Sequence, residues 1–245
     1  ERELDLAALE LGLALERGDA PAELQTATDT LAADVQRMLA LWSQQEVRSG
    51  GTGSLLYRER RRALSELFRA GLILGGPEAG ARAALADLLQ MQAAGSFARA
   101  VNAPPLDAET ALGRLTAPGR GVLVYMSGRE RSHVFALGDG RVVVHELAAG
   151  GEEIDLARAE LVGAIGGLRA ERTAAAEQAL ARARERVEQA VLPAHVLASL
   201  APWNAVVLVG LDLLGYVPFE WLRDERGEPL GLRREVSHLP SLVVG

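Results

Sequence analysis

The chain has 245 residues, 49% hydrophobic and 24% charged, with a net charge of -7, a balance that suits one large or two small globular domains and excludes extensive disorder. It also excludes a general nucleic-acid binder, because phosphate contacts rest on clustered cations, and the cations here, all arginine, are outnumbered by 33 acidic residues. With no cysteine, these residues hold no disulfide, thiolate metal site or thiol nucleophile; with no apolar run near the ~20 residues of a membrane span and no signal peptide in Glu1-Arg2-Glu3, the expectation is a cytoplasmic protein without membrane contact, whose true N-terminus lies upstream.

From Glu1 to about Ala100 the apolar spacing predicts helices. Leu4, Leu11 and Leu15 mark the first, and Leu24, Leu31, Val35, Met38 and Trp42 the second. Gly18-Asp19-Ala20-Pro21 separates them, with Pro21 opening the second helix where its missing N–H is no loss. After the loop Ser49-Gly50-Gly51-Thr52-Gly53-Ser54, a helix marked by Leu56, Leu64, Leu67 and Phe68 is followed by a break at Gly75-Gly76-Pro77. Another helix then carries Ala84, Leu85, Leu88, Leu89 and Met91. Small and aromatic positions do not recur at the ~34-residue period of nested helical hairpins, so residues 1–101 read as a helical bundle or degenerate TPR-like hairpins.

Asn102-Ala103-Pro104-Pro105 ends this region, and Asp107 caps a short helix running to Leu115. Beyond Pro118-Gly119 the period changes to two. Strands are predicted at Val122–Met126, His133–Leu137 and Val142–Leu147, the last two joined by Gly138-Asp139-Gly140, whose residues accept the positive backbone angles of a tight hairpin. Next come a helix with Leu161, Ile165 and Leu168 on one face, an Ala/Glu/Arg-rich helix from Ala170 to Val191, and a short helix holding Val196 to Leu200. The continuous apolar run Ala205–Gly210 predicts a strand covered by helices on both faces, in a sheet that is at least partly parallel. A last strand spans Glu235–Leu239, and the sheet should continue beyond Gly245. Residues 106–245 therefore read as an α/β domain with a mixed sheet.

Chemistry-bearing residues are sparse. His133 and His145 lie in neighbouring strands and could face one side, but two imidazoles without a third ligand are expected on solvated strand faces rather than on a metal. His195 and His238 have no nucleophile at recognisable spacing, and Ser241 reads as a helix cap. Gly210-Leu211-Asp212-Leu213-Leu214-Gly215 lacks the glycines and lysine of a phosphate loop. The charged run Arg182–Glu188 reads as a solvated helix face. No catalytic, cofactor-binding or metal-ligating residue is assigned, and no cofactor is expected.

One resemblance adds to this reading. The segment Val206-Val207-Leu208-Val209-Gly210-Leu211-Asp212-Leu213-Leu214-Gly215-Tyr216-Val217-Pro218-Phe219-Glu220-Trp221-Leu222 resembles the signature of CHAT domains: a buried strand, a proline or small residue, Asp-Gly, a leucine, then Pro-Phe-Glu-x-Leu. Asp212, Pro218, Phe219, Glu220 and Leu222 match, whereas Leu211 and Leu213 depart from it. Gly227-Glu228-Pro229-Leu230 is similar to the family's following charged hairpin, and Val236-Ser237-His238-Leu239-Pro240-Ser241 to its strand ending in Pro-Ser. Pro218 should stiffen the strand exit, with Phe219 and Trp221 burying their rings beside it.

The resemblance implies the first half of a caspase-like α/β sandwich from a bacterial, TPR-associated cysteine endopeptidase whose histidine and cysteine lie on loops after later strands. No histidine here falls in the family's His-Gly motif. The expectation is a non-catalytic N-terminal fragment that provides scaffold and regulatory helices. Its implied partners are the remaining part of the same domain, a protein or peptide substrate, and a regulatory protein on the helical region, with no nucleic acid. The alternatives are a non-enzymatic interaction module with a degenerate caspase-like fold, and an unrelated small-molecule-binding α/β domain with a polar pocket at the end of the Ala205 strand.

Overall fold

The computed structural model describes residues 2–49, 61–93, 106–128, 130–210, 217–239 and 242. They comprise helices and a mixed five-stranded sheet, an α/β fold. The chain divides into two compact units, one of Glu1–Leu115 with Gly140–Val144 and Ser241–Gly245, the other of Thr116–Asp139 with His145–Pro240. The helix expected after Asp107 groups with the first unit.

In the first unit, α1 (Arg2–Arg17), α2 (Pro21–Ser49) and α3 (Arg61–Ala93) pack on one another. Leu11 of α1, Leu31 of α2 and Phe68, Leu85 and Leu88 of α3 are fully buried, as the spacing of the leucines requires. Gly18 takes a positive φ of 66° at the α1 terminus, the left-handed cap that only glycine adopts readily. The predicted break at Gly75-Gly76-Pro77 is a kink inside α3, where Gly76 has φ 71° and ψ 177°. A Cβ at Gly80 would come within 2.3 Å of the Gly71 carbonyl oxygen, so the kink is tight enough to need that glycine. Leu56 of the predicted third helix lies outside the described residues. The short helix α4 (Ala108–Leu115) is capped by Asp107, whose carboxylate accepts from the Thr110 amide at 2.8 Å.

The sheet has the strand order β3-β2-β1-β4-β5, with β1 (Arg120–Met126), β2 (Ser132–Gly138), β3 (Arg141–Leu147), β4 (Ala205–Gly210) and β5 (Glu235–Leu239), and all of it groups with the second unit except the residues of β3 up to Val144. β1 and β2 pair antiparallel, while β1–β4 and β4–β5 are parallel. Between β3 and β4 run α5 (Gly151–Ala170), α6 (Ala174–Val191) and α7 (Ala194–Leu200). After β4 come the single-turn 3-10 helix Phe219–Trp221 and the one-turn helix α8 (Leu230–Arg233), the latter not anticipated from sequence. Asp139 and Gly140 carry positive φ between β2 and β3, the turn the sequence requires.

Leu123, Tyr125, Val134, Ala136, Val206 and Leu208 point to one face of the sheet, where they share a core with Leu161, Val187, Val196 and Phe219. Their alternates Val122, Val124, Met126, Phe135 and Val209 are fully buried as well. Burial on both faces explains why β1 and β4 read as unbroken apolar runs. Trp203, after α7, lies flat across β1 and β2. Its ring occupies the space of a Cβ at Gly121 and at Gly138, residues directly opposite in register. Two facing glycines thus open a slot one indole wide.

Candidate functional site

In open α/β sheets, ligands and reacting groups gather beyond the carboxyl ends of the parallel strands, where successive connections leave in opposite directions. Here that place lies between β1, which continues to β2, and β4, which continues to β5 on the other side. At the β1 end Ser127, Ser132 and His133 are buried, with His133 paired in register to Met126. Asp212 and its neighbours, which follow β4, lie outside the described residues, as does Ser241.

The signature segment re-enters the described residues at Val217, which is buried, and turns at once. Phe219 goes under the sheet, its ring centroid 5.2 Å from that of Tyr125, and Leu222 is fully buried. Tyr125 is itself enclosed, and its hydroxyl donates to the Val191 carbonyl at 2.9 Å. Burial pushes that phenol well above its ordinary pKa, so it stays a hydrogen-bond donor. Trp221, expected to be buried, is 46% exposed, because the 3-10 turn aims Phe219 and Trp221 in different directions. Glu220 accepts from or pairs with His238 of β5 at 3.1 Å, tying the turn to the outer parallel strand.

The rest of this connection is held by charge. Glu188 of α6 accepts from the Arg223 amide at 2.8 Å and from its guanidinium at 2.9 Å and 3.1 Å. The run Arg182–Glu188 is therefore a solvated face only in part; the returning chain makes Glu188 a tertiary anchor. Asp224 is buried, and burial alone would raise its pKa. Amides of Arg226 and Glu228 at 2.8 Å and 3.0 Å, with the Arg234 and Arg233 guanidiniums, outweigh burial and hold it below the usual carboxylate range. Arg234, buried as well, donates to the Trp203 carbonyl at 3.1 Å and to Glu225 at 2.9 Å. This mesh fixes the loop, and Asp224 Oδ2 and Arg234 Nη1, 3.5 Å apart, add an ion pair to it.

The histidines fall differently from the sequence reading. His145 has the parity of Leu147, on the helix-covered face, and His133 that of Phe135, on the opposite one. The two are not brought together. His145 instead meets α7: its Nε2 lies 2.8 Å from the Ser199 hydroxyl, and its ring centroid 5.3 Å from that of His195. Partial burial, with His195 adding to it, lowers the His145 pKa to about 4. No sequence signal joins residues fifty positions apart. Position on one strand face and on the first turn of a helix becomes a pair only through packing.

Among the described residues no group of three or more His, Cys, Asp or Glu side chains is placed to hold a metal ion. Nor is any described helix long and apolar enough to cross a membrane. Beneath β4, a void of about 10 Å³ among Leu123, Leu192, Val206 and Phe219 is apolar and admits no more than one water. No protein-family model matches the chain, and no curated protein is significantly similar to it.

Proposed function

We propose that residues 106–245 are the N-terminal framework of a CHAT-family, caspase-like cysteine endopeptidase, and that the helices before them serve as scaffold and regulatory element. The observation that carries this reading is the turn after β4. The Pro-Phe-Glu-x-Leu residues are fastened by the buried Phe219, packed on Tyr125 near the carboxyl end of β1, by the buried Leu222 and by the Glu220–His238 contact. Each matched side chain with a described contact is framework, which agrees with a signature that marks the fold rather than the chemistry.

In this reading the chemistry belongs to a histidine and a cysteine on later loops. The histidine takes the thiol proton, the thiolate attacks the scissile carbonyl carbon, and nearby amides hold the oxyanion until the peptide C–N bond breaks and the amine leaves with the proton the histidine returns to it. Water then releases the acyl group. Among the described residues β5 has β4 alone beside it in the sheet, which is compatible with further strands supplied by the rest of the same domain. The partners are that remainder, a protein or peptide substrate and a regulator of the helical unit, in the cytoplasm. Sequencing the parent gene tests the reading. It predicts a further strand followed by a His-Gly loop and a later cysteine loop; a reading frame that lacks both contradicts it.

A further inference from the structure

We propose that the groove between α1 and α2 is a docking site for an amphipathic, arginine- or lysine-rich helix of a partner protein, which lays its apolar side on Leu6, Leu9 and Leu13 and turns its cations to Glu10 and Glu23. This gives a partner chemistry to the helical unit proposed above as a regulatory element, and rests on that role alone; the peptidase assignment does not enter.

The groove has a volume of about 370 Å³ and is lined by Ala7 and Glu10 of α1 and by Glu23, Thr26, Ala27 and Thr30 of α2. Every polar side chain on its walls is left as an acceptor. Thr26 gives its hydroxyl proton to the Ala22 carbonyl at 3.0 Å and Thr30 to that of Thr26 at 2.9 Å, so their lone pairs remain. Among the described residues the Glu10 and Glu23 carboxylates have no hydrogen-bond or salt-bridge partner. Arg17, at the turn between the two helices, is held by Asp19 at 2.8 Å and feels Glu23 only from farther away. The groove thus offers negative charge and acceptors with no cation to meet them.

α1 is apolar on two sides. Leu4, Ala8 and Leu11 are buried, yet Leu6, Leu9 and Leu13, spaced by three and four residues, stand 55%, 39% and 44% exposed in a row on the other side. A helix apolar on both sides is one that is covered on both. Glu10 lies one turn from Leu6 and from Leu13, so the leucine row adjoins the acidic groove. Charge selects the occupant. Residues 1–30 hold eight acidic side chains against Arg2 and Arg17, and so carry -6 of the chain's net -7. A second copy would set this acidic face against itself and an anionic membrane would be repelled, whereas a basic helix is attracted. Its apolar side chains and the methylene stems of its cations cover the leucines while the charged heads reach Glu10 and Glu23.

Fluorescence anisotropy of a labelled model helix of about four turns, leucine on one face and arginine on the other, titrated with the whole chain at about 0.15 M salt, should give a dissociation constant on the order of 10 µM. Glu10→Gln with Glu23→Gln, and separately Leu6→Ala with Leu13→Ala, should each weaken binding at least about fivefold with circular dichroism unchanged, since all four side chains are exposed. Glu171→Gln with Glu177→Gln, the same change of charge at exposed positions of the second unit, should leave binding as it was. Four results would overturn the proposal: no binding below about 1 mM; equal binding of a peptide of the same composition with its leucines scattered round the helix; equal loss in the Glu171→Gln, Glu177→Gln chain; or sedimentation showing that the leucine row holds two copies of the chain together. None of these bears on the His-Gly and cysteine loops, which the parent gene decides.

Discussion

Gly121 and Gly138 show how much one hydrogen atom in place of a methyl can decide. A Cβ at Gly121 would stand 2.0 Å from the Trp203 ring, far inside contact distance. Gly121→Ala must displace the indole or bend β1, and is expected to lower stability by about 1–3 kcal/mol, measured as a fall in the urea midpoint. Trp203→Phe, with a smaller ring, should recover part of that loss. His145 gives a second prediction. Its folded pKa of about 4 lies below the unfolded value near 6.5, so between these limits the unfolded chain binds the proton and the folded chain does not. Stability should therefore fall as the pH drops from about 6.5 to about 4, and His145→Gln should flatten that slope in denaturant titrations followed across pH. Neither residue's role could be read locally. Gly138 reads locally as part of the hairpin link, although it ends β2 under the Trp203 ring, and His145 reads as a strand histidine until α7 packs against it.

At the scale of elements, the connection after β4 is the best test of what holds the fold. Phe219→Ala leaves a hole beside Tyr125 and should destabilise the α/β unit by about 3–5 kcal/mol in urea unfolding. Trp221→Ala, at an exposed site, should leave the midpoint within about 0.5 kcal/mol. Much of this level was legible beforehand because it depends on short-range pattern. The unbroken apolar stretch of β4 gave a doubly covered parallel strand, Asp139-Gly140 gave the hairpin, and Gly18 and Pro21 gave the α1–α2 break. The exceptions differ in cause. Gly76-Pro77 kinks α3 without ending it, Glu188 anchors Arg223 from a helix face that reads as solvated, and His133 and His145 face opposite sides. The Glu188 contact is set by a partner 35 residues on, which periodicity does not encode, whereas the kink is a local backbone event at Gly76 and the histidines' faces follow from strand parity.

For the whole molecule, the sequence specifies an α/β fold with a net charge of -7, and in the segment that resembles the CHAT signature the described Phe219 and Leu222 are buried. Activity in this account belongs to a larger polypeptide, because the chain has no cysteine and the proposed dyad needs one. The most direct measurement is hydrolysis of a fluorogenic peptide library by this chain and by the full-length polypeptide that contains it, each with and without iodoacetamide. The account predicts no cleavage by the chain alone and cleavage by the longer protein that alkylation abolishes. Cleavage by the isolated chain, or cleavage by the longer protein that alkylation leaves untouched, would contradict it.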